Sequence, residues 1–229
     1  MNNFFKSLIL IFTVTAVFLC IQPQMFAAEY MPLRMNSINN HSIGVYFASQ
    51  EIKIYMAPDE KSELKEIIKW DKLNIEAIPQ ELSSAEIFLA FVPDKKYAIL
   101  SVMSENDNED WVEVLYNKKT GEKGWIKLQN QDSFKTWLEL IQSYGKENRL
   151  YFLADIPEKY KKLYTNPDET SQTIQDDAFI SVQEIEPTYI SGNWMLVRAI
   201  DYNKTAQIGW IQWRDSDGNI FVFPKFGSD

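Results

Sequence analysis

The chain has 229 residues, 45% of them hydrophobic and 24% charged, a globular balance long enough for one large domain or two small ones. Its 32 acidic against 23 basic residues leave a formal net charge of −9, which argues against nucleic acid and anionic membrane surfaces as partners, because both are met with basic patches. One His and one Cys exclude most metal centres and most nucleophile–base enzymes before any motif is sought.

In chain order, Lys6 precedes an uncharged apolar run over 8–21. Spanning a bilayer takes about 20 apolar residues, so the run reads as the core of a signal peptide over 1–28. Gln22, Pro23 and Gln24 end it, and cleavage falls after Ala27 or Ala28. Met25 or Phe26 then stands where a small residue is preferred, so an uncleaved N-terminal anchor is the alternative. Cys20 follows Val17, Phe18 and Leu19, a poor context for lipidation, and reads as an apolar leader residue. The exported chain then has no cysteine and uses no disulfide. No later run reaches membrane-spanning length, so an extracytoplasmic protein, periplasmic or secreted, with no stable membrane span after leader cleavage is expected.

After an N-terminal segment over 29–43 the sequence repeats itself. Tyr55-Met56-Ala57-Pro58-Asp59-Glu60-Lys61-Ser62 is echoed by Tyr164-Thr165-Asn166-Pro167-Asp168-Glu169-Thr170-Ser171. Downstream, Trp111-Val112-Glu113-Val114 matches Trp194-Met195-Leu196-Val197, and Gly124-Trp125-Ile126 matches Gly209-Trp210-Ile211. Upstream, Tyr46-Phe47-Ala48 is set against Tyr151-Phe152-Leu153. The first copy is the longer by about 26 residues, and the excess is placed at 86–103 as an inserted β-hairpin turning at Pro93-Asp94-Lys95-Lys96.

Each copy reads as mainly β. Period-two alternation marks Leu73-Asn74-Ile75-Glu76-Ala77, Ile180-Ser181-Val182-Gln183, and the strand on which Val112, Val114 and Tyr116 oppose Trp111, Glu113 and Leu115. Asp215-Ser216-Asp217-Gly218-Asn219 is a hairpin turn. Between the copies Phe134, Trp137, Leu138, Ile141 and Tyr144 recur at helical spacing. This predicts a helix over 131–146, capped at Asp132 or Ser133 and ended by Gly145. The divisions are thus 44–130 for the first module, 131–146 for the linking helix and 147–229 for the second module.

A strand into Tyr-x-x-Pro-Asp-x-x-Ser, then Trp-x-x-Val, then Gly-Trp-Ile resembles bacterial SH3-like (SH3b-type) domains, here in two tandem copies behind a signal peptide. The resemblance covers roughly 44–128 and 150–226 and implies two small SH3-like β-barrel modules with a short connecting α-helix. It also implies binding rather than catalysis, with cell-wall peptide or an envelope protein as partner. Aromatics beside the loops, Tyr55 and Trp111 in one copy and Tyr164 and Trp194 in the other, are the ligand-binding candidates; core packing is the plainer role for each. A structural or assembly module whose grooves are filled by its own chain is the competing reading.

No catalytic set emerges. His41, in the polar segment Asn39-Asn40-His41-Ser42, has no second His to share a metal. Ser104-Glu105-Asn106-Asp107-Asn108-Glu109-Asp110 lacks the glycine of a calcium loop and reads as a solvated turn. No metal and no cofactor are expected, and carboxylate-only chemistry has no motif to select a pair.

Overall fold

Two antiparallel sheets make up the computed structural model, which describes residues 33–49, 51–70, 82–92, 97–108, 110–174 and 182–226. The expected leader, the strand at 73–77, the turn at 93–96 and the residues 180–181 lie outside the described residues. The first sheet holds β1 (Gly44–Ser49), β2 (Glu51–Tyr55), β3 (Leu64–Lys69), β4 (Ala90–Val92), β5 (Tyr97–Glu105), β6 (Trp111–Asn117), β7 (Glu122–Lys127) and β8 (Phe134–Thr136). Its order is β3-β2-β7-β6-β5-β1-β8, with β4 on β5. The second holds β9 (Leu150–Phe152), β10 (Val182–Ser191), β11 (Trp194–Asp201), β12 (Ala206–Gln212) and β13 (Val222–Pro224), in the order β12-β11-β10-β9-β13. A short helix α1 (Ser84–Ile87) precedes β4, and a longer one, α2 (Trp137–Asn148), joins the sheets.

The repeat is present in the strand register. Trp111, Val112, Glu113 and Val114 face Lys127, Ile126, Trp125 and Gly124; Trp194, Met195, Leu196 and Val197 face Gln212, Ile211, Trp210 and Gly209 in the same way. Val102 faces Val114 as Pro187 faces Val197, and both strands bulge at once afterwards, before Ser104 and before Tyr189. The order β7-β6-β5-β1-β8 in the first sheet is therefore β12-β11-β10-β9-β13 in the second. The expected mainly β architecture holds, but as two sheets: among the described residues neither sheet closes on itself into a barrel.

Three sequence expectations are corrected. First, β5 belongs to the repeat, as the counterpart of β10, so the first copy's extra residues precede it and include α1 and β4. The expected hairpin pairing exists between β4 and β5, with Phe91 opposite Ala98. Second, Tyr46 corresponds to Leu150, one residue before the position read from sequence, because Leu100 pairs with Tyr46 and its counterpart Ile185 pairs with Leu150. A one-residue slip in a strand exchanges its faces, and both Tyr46 and Leu150 are buried. Third, α2 begins at Trp137, not at Asp132 or Ser133, because Phe134–Thr136 is taken into the sheet as β8 against β1. Its cap is Thr136, whose Oγ1 accepts the Glu139 N–H while the Glu139 carboxylate accepts the Thr136 N–H. Gly145 lies inside the helix, which runs on to Asn148.

Two cores result. One fills the first sheet and gathers Tyr46, Ile52, Ile54, Trp70, Phe88, Leu100, Val112, Val114 and Ile126. The other joins the second sheet's Ile185, Val197, Ile211 and Phe223 to Leu140 and Ile141 of α2 and to Val45 and Ile99 on the back of the first sheet. Strand β1 thus sends Tyr46 and Ala48 into one core and Val45 into the other. The Trp137 ring seals this junction: its Nε1 donates to the Ser42 carbonyl at 2.9 Å, and it meets Phe223 edge-on at 6.3 Å. No helix among the described residues is long and apolar enough to cross a membrane.

Candidate functional site

The motif that opens each copy folds the same way twice. After Tyr55 the Met56 N–H donates to the Glu63 carbonyl, the Asp59 N–H to Ala57, and the Ser62 N–H to Asp59. After Tyr164 the Thr165 N–H donates to Gln172, the Asp168 N–H to Asn166, and the Ser171 N–H to Asp168. The side chains repeat as well. Asp59 Oδ1 accepts the Lys61 N–H at 2.9 Å, as Asp168 Oδ1 accepts that of Thr170 at 2.8 Å. Ser62 Oγ accepts the Ala57 N–H as Ser171 Oγ accepts that of Asn166. Asp and Ser are therefore there to satisfy a tight loop's own backbone. That bonding holds the Asp168 carboxyl below the usual carboxylate range, through the Thr170 backbone first and its hydroxyl second.

The loop sets the aromatics beside it. Tyr55 meets Trp111 edge-to-face at 5.5 Å and 86°; Tyr164 meets Trp194 at 5.3 Å and 89°. Edge-to-face is the favoured aromatic geometry, which locks each tyrosine ring against its tryptophan. Each tyrosine also bridges to the strand carrying the Gly-Trp motif, Tyr55 to Trp125 and Tyr164 to Trp210. The glycines make that approach possible. A Cβ on Gly124 would lie 2.3 Å from Ile54 Cγ2, and one on Gly209 would lie 2.5 Å from Leu163 Cγ.

The four candidates thus come together as two equivalent pairs, but they are not equally open. Trp111 and Tyr164 are buried, and the Tyr164 hydroxyl donates to the Lys159 carbonyl at 3.3 Å. Tyr55 is half-buried and lines a groove of about 400 Å³ between β2 and the end of β7. The groove has an apolar base of Tyr46, Ile52 and Ile126, with charges along its sides. Lys127 pairs with Glu60 of the Pro-Asp-Glu loop at 3.1 Å, and Glu51 pairs with Lys69 at 2.9 Å. The Glu51 carboxyl is held below its ordinary value chiefly by its hydrogen bond to Lys69. Burial pushes the Tyr46 phenol up to about 12, so it stays a neutral hydroxyl.

The second copy sets bulky side chains of its own around the matching motif. The counterpart of Leu128 is Trp213, fully buried, its Nε1 donating to the Gly192 carbonyl at 2.9 Å. Before Tyr164 the chain runs through an extra 3₁₀ turn, Glu158–Lys161, whose Tyr160 stacks on Phe221 at 3.9 Å.

Sequence reasoning named the aromatic pairs but missed Tyr46 and the Glu60–Lys127 bridge. Glu60 sits inside the Tyr-x-x-Pro-Asp-x-x-Ser motif, which marks the place without marking the charge. Lys127 follows Gly124-Trp125-Ile126 by one residue, and no sequence signal tied it to Glu60. His41 is exposed in its polar segment. Of the acidic stretch before Trp111, Ser104 and Glu105 end β5, and Asn106 Oδ1 accepts the N–H groups of Asp110 and Trp111. Among the described residues no three His, Cys, Asp or Glu side chains converge as a metal site would require. No protein-family model matches the chain, and a search of the curated proteins finds no match.

Proposed function

We propose that this is an exported, non-catalytic binding protein of two SH3-like modules, and that the groove beside Tyr55 takes an extended peptide of the cell wall. The observation that carries the reading is the asymmetry of the repeat. One loop-and-aromatic constellation is built twice, and beside the first copy it borders a groove of about 400 Å³. Around the second constellation stand Trp213, the counterpart of Leu128, and this copy's own stacked Tyr160 and Phe221. An apolar base with carboxylate and ammonium groups on its sides suits a short peptide carrying both charges, because each end finds a partner while its chain lies on apolar surface.

The second module fits the competing reading, a self-occupied module whose role is assembly. It contributes rigidity and surface rather than a second binding groove, so one peptide is bound per chain.

Co-sedimentation of residues 29–229 with purified insoluble peptidoglycan, at two salt concentrations, tests this. Retention is expected, weaker at high salt and lost in Tyr55→Ala and Lys127→Glu, with Trp194→Phe retained like the wild type. No retention at either salt would rule out wall peptide and leave an envelope protein segment as the ligand to seek.

A further inference from the structure

The outer face of the second sheet differs from its counterpart in a way that folding does not require. In the first sheet three neighbouring outward positions hold Ser104, Glu113 and Lys123, beside Trp125. The Ser104 hydroxyl donates to Glu113 Oε2 at 3.4 Å, and Lys123 is exposed. This is an ordinary solvent face. The register places Tyr189, Leu196 and Ile208, beside Trp210, at the same four positions of the second sheet. Tyr189 is 60% exposed and Ile208 66%. Tyr189 lies edge-on to Trp210 at 6.1 Å, across the row that contains Leu196. Two hydroxyl or charged groups and a lysine have been exchanged for a tyrosine and two aliphatic side chains, on a surface left open to water.

The rim of this patch carries both signs. Glu186 pairs with Arg149 at 2.8 Å and with Arg198 at 3.0 Å, and Glu184 approaches Lys204 at 3.7 Å. Three cations therefore face two carboxylates, on a chain whose formal charge is −9. Two copies of so acidic a chain repel each other over most approaches. This face escapes that repulsion, since its cations outnumber its carboxylates by one and a rim of both signs is complementary to itself. We propose that the outer face of β10, β11 and β12 is a homodimer interface, in which Tyr189, Leu196, Ile208 and Trp210 pack against the same residues of a second copy. A two-fold arrangement is the one that lets a single patch serve both partners. It leaves the Tyr55 groove, on the other sheet, free in each copy.

The test is the solution mass of residues 29–229, which contain both cores, by sedimentation equilibrium. Concentrations up to about 100 µM make a micromolar dimer nearly complete. The wild type is expected at twice the chain mass. The triple variant Tyr189→Ser, Leu196→Glu, Ile208→Lys carries the residues that the first sheet bears at these positions and is expected to be monomeric. Ile208→Lys alone, at a position already exposed to water and therefore harmless to folding, should weaken the dimer at least about tenfold. A wild-type monomer throughout the range would overturn the proposal, as would a dimer that Ile208→Lys leaves unchanged. Neither result bears on retention by peptidoglycan, so the two readings fail separately.

Discussion

Gly124 and Gly209 show how much of the repeat rests on single residues. Both stand where a strand must lie against the aliphatic residue that precedes the motif's tyrosine, Ile54 or Leu163, with no room for a Cβ. Gly124→Ala forces Ile54 and the Tyr55 carbonyl aside, and overpacking of this kind costs about 1–3 kcal/mol. Urea unfolding should show that loss, and an unchanged midpoint would mean that the sheet yields freely here. Lys118 gives a second prediction at this scale. Its Nζ donates to the Phe88 carbonyl at 2.8 Å and ties α1 to the β6–β7 turn. Burial pushes its ammonium down to about 8 from an ordinary 10.5, and Glu86 offsets only part of this. Between those values the unfolded chain holds a proton that the folded chain has released, so stability rises with pH across the window. The wild type should gain on Lys118→Met from pH 8 towards 10.5, and parallel stability curves would contradict this. Tyr46 has the opposite sign. Its phenol ionises at about 12 when folded and at 10 when unfolded, so its contribution is present below pH 10 and lost above it.

At the scale of elements, α2 shows which signals were legible. The apolar spacing announced a helix, but Phe134 had the right period and the wrong partner: pairing with Tyr46 of β1 claimed it for β8. The capping signal Thr136-x-x-Glu139 was in the sequence and marks the true start. Thr136→Ala should cost about 1 kcal/mol, read as a lowered Tm. By residue type Gly145 suggests the helix end, yet it lies inside the helix. Its reason is packing, since a Cβ would sit 2.9 Å from Leu150 Cδ2 and 3.1 Å from Pro187 Cγ. Gly145→Ala gains about 1 kcal/mol of helix propensity. Against that stand a fully buried leucine and a rigid ring, so the net effect is destabilising. The displaced insertion has a similar cause. Strand β5 shares no motif with β10, only its register and its bulge, and register cannot be read from residue types.

For the whole molecule, the two copies were legible because most of their landmarks are residues that backbone geometry demands: Pro and Asp at the loop and Gly at the close approach. What joins them was not legible. The helix expected as a linker is a wall of a core that also takes Val45 and Ile99 from the first sheet, and such contacts leave no periodic trace in either copy. It follows that 147–229 alone should lack a cooperative transition and bind ANS, since the separation uncovers that core. A sharp, independent unfolding transition would show instead that the second sheet is self-sufficient. The groove's charges were likewise invisible, because they depend on which side chains the fold brings next to the motif.

The most direct test of the account is a titration of soluble stem peptides, released from peptidoglycan, into isotope-labelled residues 29–229, followed by NMR chemical shifts. Saturable shifts are expected at one site, centred on Tyr55, Glu60 and Lys127, with Tyr164 and Trp194 unmoved. Shifts centred on the second aromatic pair, or none at any concentration, would contradict it.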